Sequence, residues 1–176
     1  MNFSADLNGR CPYAAQPELD WLRNWADNHA NQVAVIIGAG PGVMPIAMLE
    51  SPSDFDLYVA EIDTFNWLIA HCAQGNIDRL TRLTMLPGDS SEIGLAWRGG
   101  WIDLLVVDGD HSYEGVCRDI EAWVPLLSPS GIIAFHDYTR DDPPHAGIKI
   151  AIEEKLPAKY VLSGIFSSMA IFARKH

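Results

Sequence analysis

The sequence predicts an α/β fold: a doubly wound, mostly parallel sheet of seven strands that ends in an antiparallel hairpin. Three observations carry this reading. Short apolar, β-branched runs alternate with segments of helical period, which is the pattern of strands laid parallel with helices on both faces. A glycine-rich turn follows the first such run directly. Beyond Pro157 the alternation stops, and two strand-like runs follow one another with only a tight turn between them.

The elements follow in order. Pro17 suits a first helical position, and Leu19, Leu22 and Ala26 share a face, so a helix is expected from Pro17 to about Ala30. Gln32 to Ile37 (QVAVII) reads as a buried strand, followed by the glycine turn and a short helix from Val43 to Glu50. Asp56 to Glu61 (DLYVAE) is the second strand. Thr64 suits a helix cap, with Phe65, Leu68, Ile69 and Cys72 on one side of the helix it starts. Leu80 to Leu86 is expected as the third strand and Ser91 to Trp97 as a short helix. Ile102 to Val107 (IDLLVV) is the clearest buried strand. Ser112 suits the cap of a helix carrying Val116, Ile120, Trp123, Val124 and Leu127. Gly131 to Phe135 (GIIAF) is the fifth strand, and a helix from Ile148 to Leu156 stops at Pro157. Lys159 to Ile165 and Ser168 to Ala173 form the hairpin around Phe166 and Ser167.

A length of 176 residues fits one domain, read as an N-terminal helical segment (1–30) and a core (31–176). The net charge of −11 repels phosphate backbones, so a nucleic-acid partner is not expected. A cationic ligand is compatible with it. The weakly polar run Val33 to Leu49 contains three glycines and two prolines and is too broken to span a bilayer, so no membrane partner is expected. No basic start followed by an apolar stretch marks a signal peptide. Cys11, Cys72 and Cys117 are widely spaced and form no CxxC pair, which suits a reducing compartment. A cytoplasmic location is the resulting expectation.

In such sheets ligands sit beyond the carboxyl ends of the strands. The first strand end reads Gly38-Ala39-Gly40-Pro41-Gly42, and Glu61, at the end of the second strand, lies 19 residues past Gly42, with Asp63 two residues on. A carboxylate so placed suits ribose hydroxyls. The dinucleotide pattern GxGxxG would need a small residue at Val43, and no GK[ST] follows, which disfavours a nicotinamide dinucleotide and a P-loop nucleotide. An adenosine cofactor without pyrophosphate fits better, and S-adenosylmethionine has that chemistry.

The fourth strand runs into Asp108-Gly109-Asp110-His111-Ser112-Tyr113-Glu114 and the fifth into His136-Asp137-Tyr138. The block VVDGDHSYEGVCRDIEAWVPLLSPSGIIAFHDY resembles the small class I S-adenosylmethionine-dependent methyltransferases, in the group related to antibiotic-tailoring and sugar O-methyltransferases. The resemblance implies a Rossmann-like core that methylates a small-molecule acceptor. By that resemblance Gly38, Gly40 and Gly42 lie beside the methionine part of the cofactor. Glu61 takes the ribose, Asp89 and Ser90 lie on the adenine side, and Asp108 faces the transferred methyl. One position departs: relatives carry an acid two residues before the first glycine, where this chain has Ile36.

Asp108, Asp110, His111, His136 and Asp137 follow buried strands expected to be neighbours, and so many ionisable groups there must pair, bind or catalyse. Methyl transfer to oxygen needs the acceptor proton to leave. His111, two residues past the strand-end turn, is the expected general base. His136 is the competing assignment, or else an orienting group beside Asp137. In metal-dependent relatives the positions matching Asp108 and His136-Asp137 hold a divalent cation. A histidine in that set suits manganese or zinc better than magnesium. A metal-free site bonding substrate hydroxyls is the other reading. Trp97, Trp101 and Trp123 read as core or edge packing, and His145, in the loop Arg140 to His145, as a solvated histidine. Selection of the acceptor falls to the N-terminal segment, the loop Tyr138 to Gly147, or a second subunit in a homo-oligomer. The rival functions are a cofactor-binding protein without turnover and a nicotinamide-dependent oxidoreductase.

Overall fold

The computed structural model describes residues 13–63 and 77–175. The helix expected to begin at Thr64 lies largely outside the described residues.

Helix α1 (Gln16–Asn28) starts at Pro17's first turn and buries Leu19, Leu22, Trp25 and Ala26. Strand β1 (Val33–Ile37) follows, then helix α2 (Val43–Leu49) and strand β2 (Asp56–Glu61). Strand β3 (Leu83–Pro87) starts three residues later than its apolar pattern suggests, because residues 77–82 wind into a 3₁₀ turn. Helix α3 (Ser90–Ala96) is capped by Asp89, whose carboxylate accepts from the N–H groups of Ser91 and Glu92. Strand β4 (Ile102–Val107) leads to helix α4 (Tyr113–Trp123), capped by Ser112 through the Gly115 N–H. Strand β5 (Leu127–Phe135) starts four residues before the expected Gly131. A register shift between Ile102 and Leu104 of β4 absorbs the Ser128–Ser130 stretch. Helix α5 (Gly147–Lys155) and the hairpin of β6 (Tyr160–Phe166) and β7 (Met169–Arg174) complete the chain.

The seven strands form one sheet in the order β3-β2-β1-β4-β5-β7-β6. The first five are parallel, and β7 runs antiparallel to both β5 and β6. Two apolar layers cover it. One packs α1 and α2 on Ala34, Ile36, Leu57, Leu104 and Val106; the other packs α4 and α5 on Val35, Ile37, Leu105 and Ile133. Residues facing alternate sides of one strand thus enter different layers, as the two-residue strand period requires. Ile36 is fully buried in the first layer, which accounts for an apolar residue at that position.

The chain leaves β1 outward through β2 to β3, then crosses back to β4 on the other side of β1. That reversal opens a crevice beyond the ends of β1 and β4, the place where doubly wound sheets bind ligands. Two tryptophans pack as expected and one does not. Trp123 is buried and Trp97 meets Tyr58 edge-on, 4.8 Å between centroids, whereas Trp101 is 63% exposed. No helix among the described residues is long and apolar enough to cross a membrane.

Candidate active site

The N–H of Gly38 reaches the Ala60 carbonyl at 2.8 Å and that of Asp108 the Ile37 carbonyl at 2.9 Å, so the sheet ladder continues one residue past each strand. From there the chain turns sharply. Gly38, Gly40 and Gly42 have φ of 81°, 46° and 82°, a region side chains disfavour. A Cβ on Gly38 would fall 2.9 Å from the Gly109 Cα and closer still to the Asp108 carbonyl. The glycine turn is therefore pressed onto the end of β4. At Gly40 an added Cβ would meet nothing within 4 Å, so the turn has open space in front of it.

Glu61 sits beside this turn. Its Oε2 accepts from the N–H groups of Ala39 (2.8 Å) and Gly40 (3.1 Å), and its Oε1 from that of Asp63 (3.0 Å). Asp63 itself is exposed. Asp89 is engaged as the cap of α3. The Ser91 hydroxyl and the Glu92 N–H, bonded to its carboxylate, hold Asp89 below the usual carboxylate range. Ser90 donates through Oγ to Asp119, a buried carboxylate on α4. Burial pushes Asp119 up to about 6 despite that bond, and the charge of Asp89 adds to the effect.

Across the crevice the ends of β4 and β5 bring together Asp108, His111, His136 and Asp137. Each offers a ligand atom, all within 4.8 Å of one another. His111 Nε2 lies 3.3 Å from Asp108 Oδ1 and 3.4 Å from Asp137 Oδ2. Asp137 takes a left-handed backbone, φ 53°, uncommon for a residue with a side chain. Adjacent side chains on a regular strand diverge; with this twist Asp137 Oδ2 comes within 3.4 Å of His136 Nδ1. Asp110 does not join the group. It is exposed and accepts from the Ser112 N–H, in a turn ahead of α4.

His136 is buried, 6% exposed. Its Nε2–H donates to Glu18 Oε2 at 3.3 Å, and its Nδ1 stands 2.9 Å from Asp108 Oδ1. The second approach is off the direction of the ring N–H, so Nδ1 makes a charge contact without a hydrogen bond. Burial alone would lower the pKa of His136, but Asp108, Asp137 and Glu18 surround it and push it up to about 12. Asp137 is held below the usual range: burial opposes this, and the close contact and charge of His136 prevail. The surrounding carboxylates thus favour the protonated ring, which suits His136 to a donor or orienting role and leaves His111 the better placed of the two for the base.

Two contributors escaped the sequence reading. His145, taken there for a solvated loop residue, has only 11% of its side chain exposed. Its ring stacks obliquely on His111, 4.8 Å between centroids, with Nε2 3.5 Å from Asp137. A polar, proline-stiffened loop gives no sign that it folds inward. Glu18 is 1% exposed and reaches His136 across 118 positions of sequence. An acid in a first helical turn reads as a capping residue, and it is one, accepting from the Ala15 N–H at 2.6 Å. Its second task has no local signature.

A doubly wound sheet with a glycine turn after β1, an acid at the end of β2 and a polar cluster beyond β4 and β5 defines the protein as having the class I methyltransferase fold. The family model described as a methyltransferase domain matches residues 21–138, and the chain belongs to that family. Over 36 residues it is 53% identical to protein y4gI of Sinorhizobium fredii, a stretch covering 20% of this chain and 4% of y4gI. Among solved structures it is similar to the O-methyltransferase TomG from Streptomyces achromogenes, involved in tomaymycin synthesis and solved with SAM. That likeness has a TM-score of 0.73 at 16% identity, over 93% of this chain and 82% of TomG. It is also similar to TrmN from Thermus thermophilus, with a TM-score of 0.65 at 14% identity, over 89% of this chain and 48% of TrmN. The chain therefore spans about half the length of TrmN and a small fraction of y4gI. At these identities the structural likeness is one of fold.

Proposed function

We propose that the chain transfers the methyl group of S-adenosylmethionine to an oxygen of a small-molecule acceptor. The observation that carries the reading is the contact between the two halves of the crevice. The glycine turn, with open space before Gly40, is pressed against Asp108, the residue that anchors the imidazole cluster. Gly38, Gly40 and Gly42 would lie along the methionine part, Glu61 against the ribose with Asp63 beside it, and Asp89 and Ser90 toward the adenine. The fit is good at the turn, where a side chain at Gly38 would meet backbone. Glu61, already aligned by three N–H groups, keeps acceptor capacity on Oε1. Bound S-adenosylmethionine supplies an electrophilic methyl on a cationic sulfur. Asp108 would face that charge, and His111, oriented by Asp108 and Asp137, would take the acceptor's hydroxyl proton. TomG, an O-methyltransferase of the same fold, supports the choice of oxygen.

A second reading adds a divalent cation. It is favoured by the buried Nδ1 of His136, which has no hydrogen bond and faces Asp108 and Asp137. Asp108, His136 and Asp137 would hold the ion, with His136 releasing its Nδ1 proton on binding, and one nitrogen among oxygens favours manganese or zinc over magnesium. The ion would supply charge to a bound acceptor oxygen.

Transfer of tritium from methyl-labelled S-adenosylmethionine to a panel of phenols, sugars and hydroxy acids tests both readings, run with and without chelator. Labelled product is expected. Cofactor binding in calorimetry with no product from any acceptor would favour a binding protein, and binding of NAD instead would overturn the assignment. Activity lost to chelator and restored by manganese at least as well as by magnesium selects the second reading; indifference to chelator removes it.

A further inference from the structure

We infer that Glu18, on the N-terminal helix, is a positioning residue for methyl transfer: it fixes the ring of His136 from behind, so that Nε2 is tied to α1 and Nδ1 is presented to Asp108 and Asp137. The inference rests on the proposed function for the role of His136, and on the following geometry for the role of Glu18.

Four donors converge on the two oxygens of this carboxylate. Oε1 accepts from the Ser168 N–H at 2.8 Å and the Ser168 hydroxyl at 2.7 Å. Oε2 accepts from the Ala15 N–H at 2.6 Å and from His136 Nε2 at 3.3 Å. A buried carboxylate is costly unless every lone pair finds a partner, and here all of them do. No other side chain of similar size accepts four bonds. Glutamine has one oxygen and an NH₂ group, so at least one of the backbone donors of Ala15 and Ser168 would face another donor.

The arrangement ties three distant segments to one ring: the start of α1, the β6–β7 turn at Ser168, and the end of β5. Helix capping alone requires only the Ala15 contact, and hairpin closure only the Ser168 contacts. Neither requires that the same carboxylate reach the one buried histidine of the site. A carboxylate behind a histidine keeps a proton on the nitrogen that faces it and stops the ring from turning.

Nitrogen-15 NMR of the imidazoles in the full chain tests this. In the wild type, His136 Nε2 is expected to carry a proton that exchanges slowly with solvent, because it is sealed against Glu18. A bare Nε2, or one whose proton exchanges as fast as that of an exposed histidine, overturns the inference without any variant. In Glu18→Gln the Nε2–H signal should shift or broaden, and kcat should fall roughly 10–100-fold, the usual effect of removing such an orienting partner. KM for cofactor and acceptor should change little. An unchanged His136 signal with unchanged kcat, alongside a lowered Tm, assigns Glu18 to capping alone and overturns the inference. The imidazole signal decides this point even if no acceptor is found. A wild type that transfers no methyl would overturn the proposed function only.

Discussion

On the β1–β3 side of the crevice, carboxylates are held by backbone. Asp89 takes the N–H groups of Ser91 and Glu92, and Glu61 those of Ala39, Gly40 and Asp63, at 2.8–3.2 Å. On the β4–β5 side, side chains hold side chains. His111, His136, His145, Asp108 and Asp137 meet at distances that are mostly 3.3–3.5 Å, longer than good hydrogen bonds. The backbone bonds of the first half fix its carboxylates locally, whereas the second is a set of charges that compensate one another. Under the proposed function, the first half would seat the cofactor and the second would handle the acceptor's proton.

The largest expected effect comes where the halves touch. Gly38→Ala puts a methyl group against the Asp108 carbonyl and the Gly109 Cα, at a backbone φ of 81° that alanine resists. Stability should fall by about 3 kcal/mol or more, and cofactor affinity should fall with it. Gly40→Ala meets no neighbour and should cost only the backbone strain, about 1 kcal/mol. Urea unfolding of both variants, with calorimetry against S-adenosylhomocysteine, measures the contrast. Equal losses at the two positions would mean that the turn is not pressed on β4.

Next comes the acceptor half. His111→Ala should lower the rate of methyl transfer by about 10²–10⁴-fold and remove the ascending limb of the pH–rate profile. Cofactor affinity should hardly move, because the ion-pair partners of His111 are Asp108 and Asp137 at the ends of β4 and β5. His136→Ala should lower the rate without reshaping that limb, since the proton on His136 stays in place at neutral pH. If the limb is lost with His136 instead, the roles are reversed.

The same contrast explains what could be read from the sequence. Strand β1 is a continuous apolar run and β2 and β4 are largely apolar ones, and each end is marked by a residue type with local meaning: a glycine, an acid at ribose spacing, the DGD turn. Ser112 announces a helix start through a short-range bond, and α4 begins where that cap places it, whereas the Asp89 cap starts α3 at Ser90, one residue before the expected Ser91. The start of β3 was misplaced because its residues alternate weakly and the strand lies at the sheet edge, where little packing is demanded of them. Glu18 and His145 could not be found this way. Their partners lie on other elements, and only the closed sheet brings position 18 to 136 and 168, or 145 to 111. Asp119 gave no signal either, since an acid in a mid-helix reads as solvent-facing until the helix rotation is known.

A smaller effect is expected at the seat. Glu61→Ala should weaken S-adenosylhomocysteine binding by about 1.5–3 kcal/mol, the scale of a hydrogen bond to a charged group. Part of that loss would come from freeing the N–H groups of Ala39 and Gly40. Glu61→Gln keeps an oxygen for those donors and sharpens the comparison. If glutamine restores the affinity, Glu61 serves the turn; if it does not, the charge itself holds the ribose. Calorimetry that finds both variants unchanged would move the ribose partner to Asp63 or remove the site from this crevice.

The smallest effect lies beneath both halves, at Asp119, which holds Ser90 on one side and underlies Gly109 on the other. Burial raises this carboxyl to about 6, so the folded protein binds its proton more tightly than the unfolded chain does. The unfolded group has the ordinary carboxylate value of 3.8. Between those two values the folded state carries the extra proton, and stability must therefore fall as pH rises through the window. Above about pH 6 the penalty is complete; below 3.8 both states are protonated and it is absent. A shift of this size has a ceiling of roughly 3 kcal/mol, and relaxation around the charge brings the expected effect to about 1–2 kcal/mol. Asp119→Asn keeps an oxygen for the Ser90 hydroxyl and removes the charge. The variant should be more stable than the wild type at pH 7.5 by that amount and should lose the advantage as pH falls toward 4. Other carboxylates titrate in the same range, but they are common to both proteins, and the difference between the two urea curves isolates Asp119. A difference that stays constant with pH would show that Asp119 ionises in the folded protein as it does in water, and that α4 leaves it solvated.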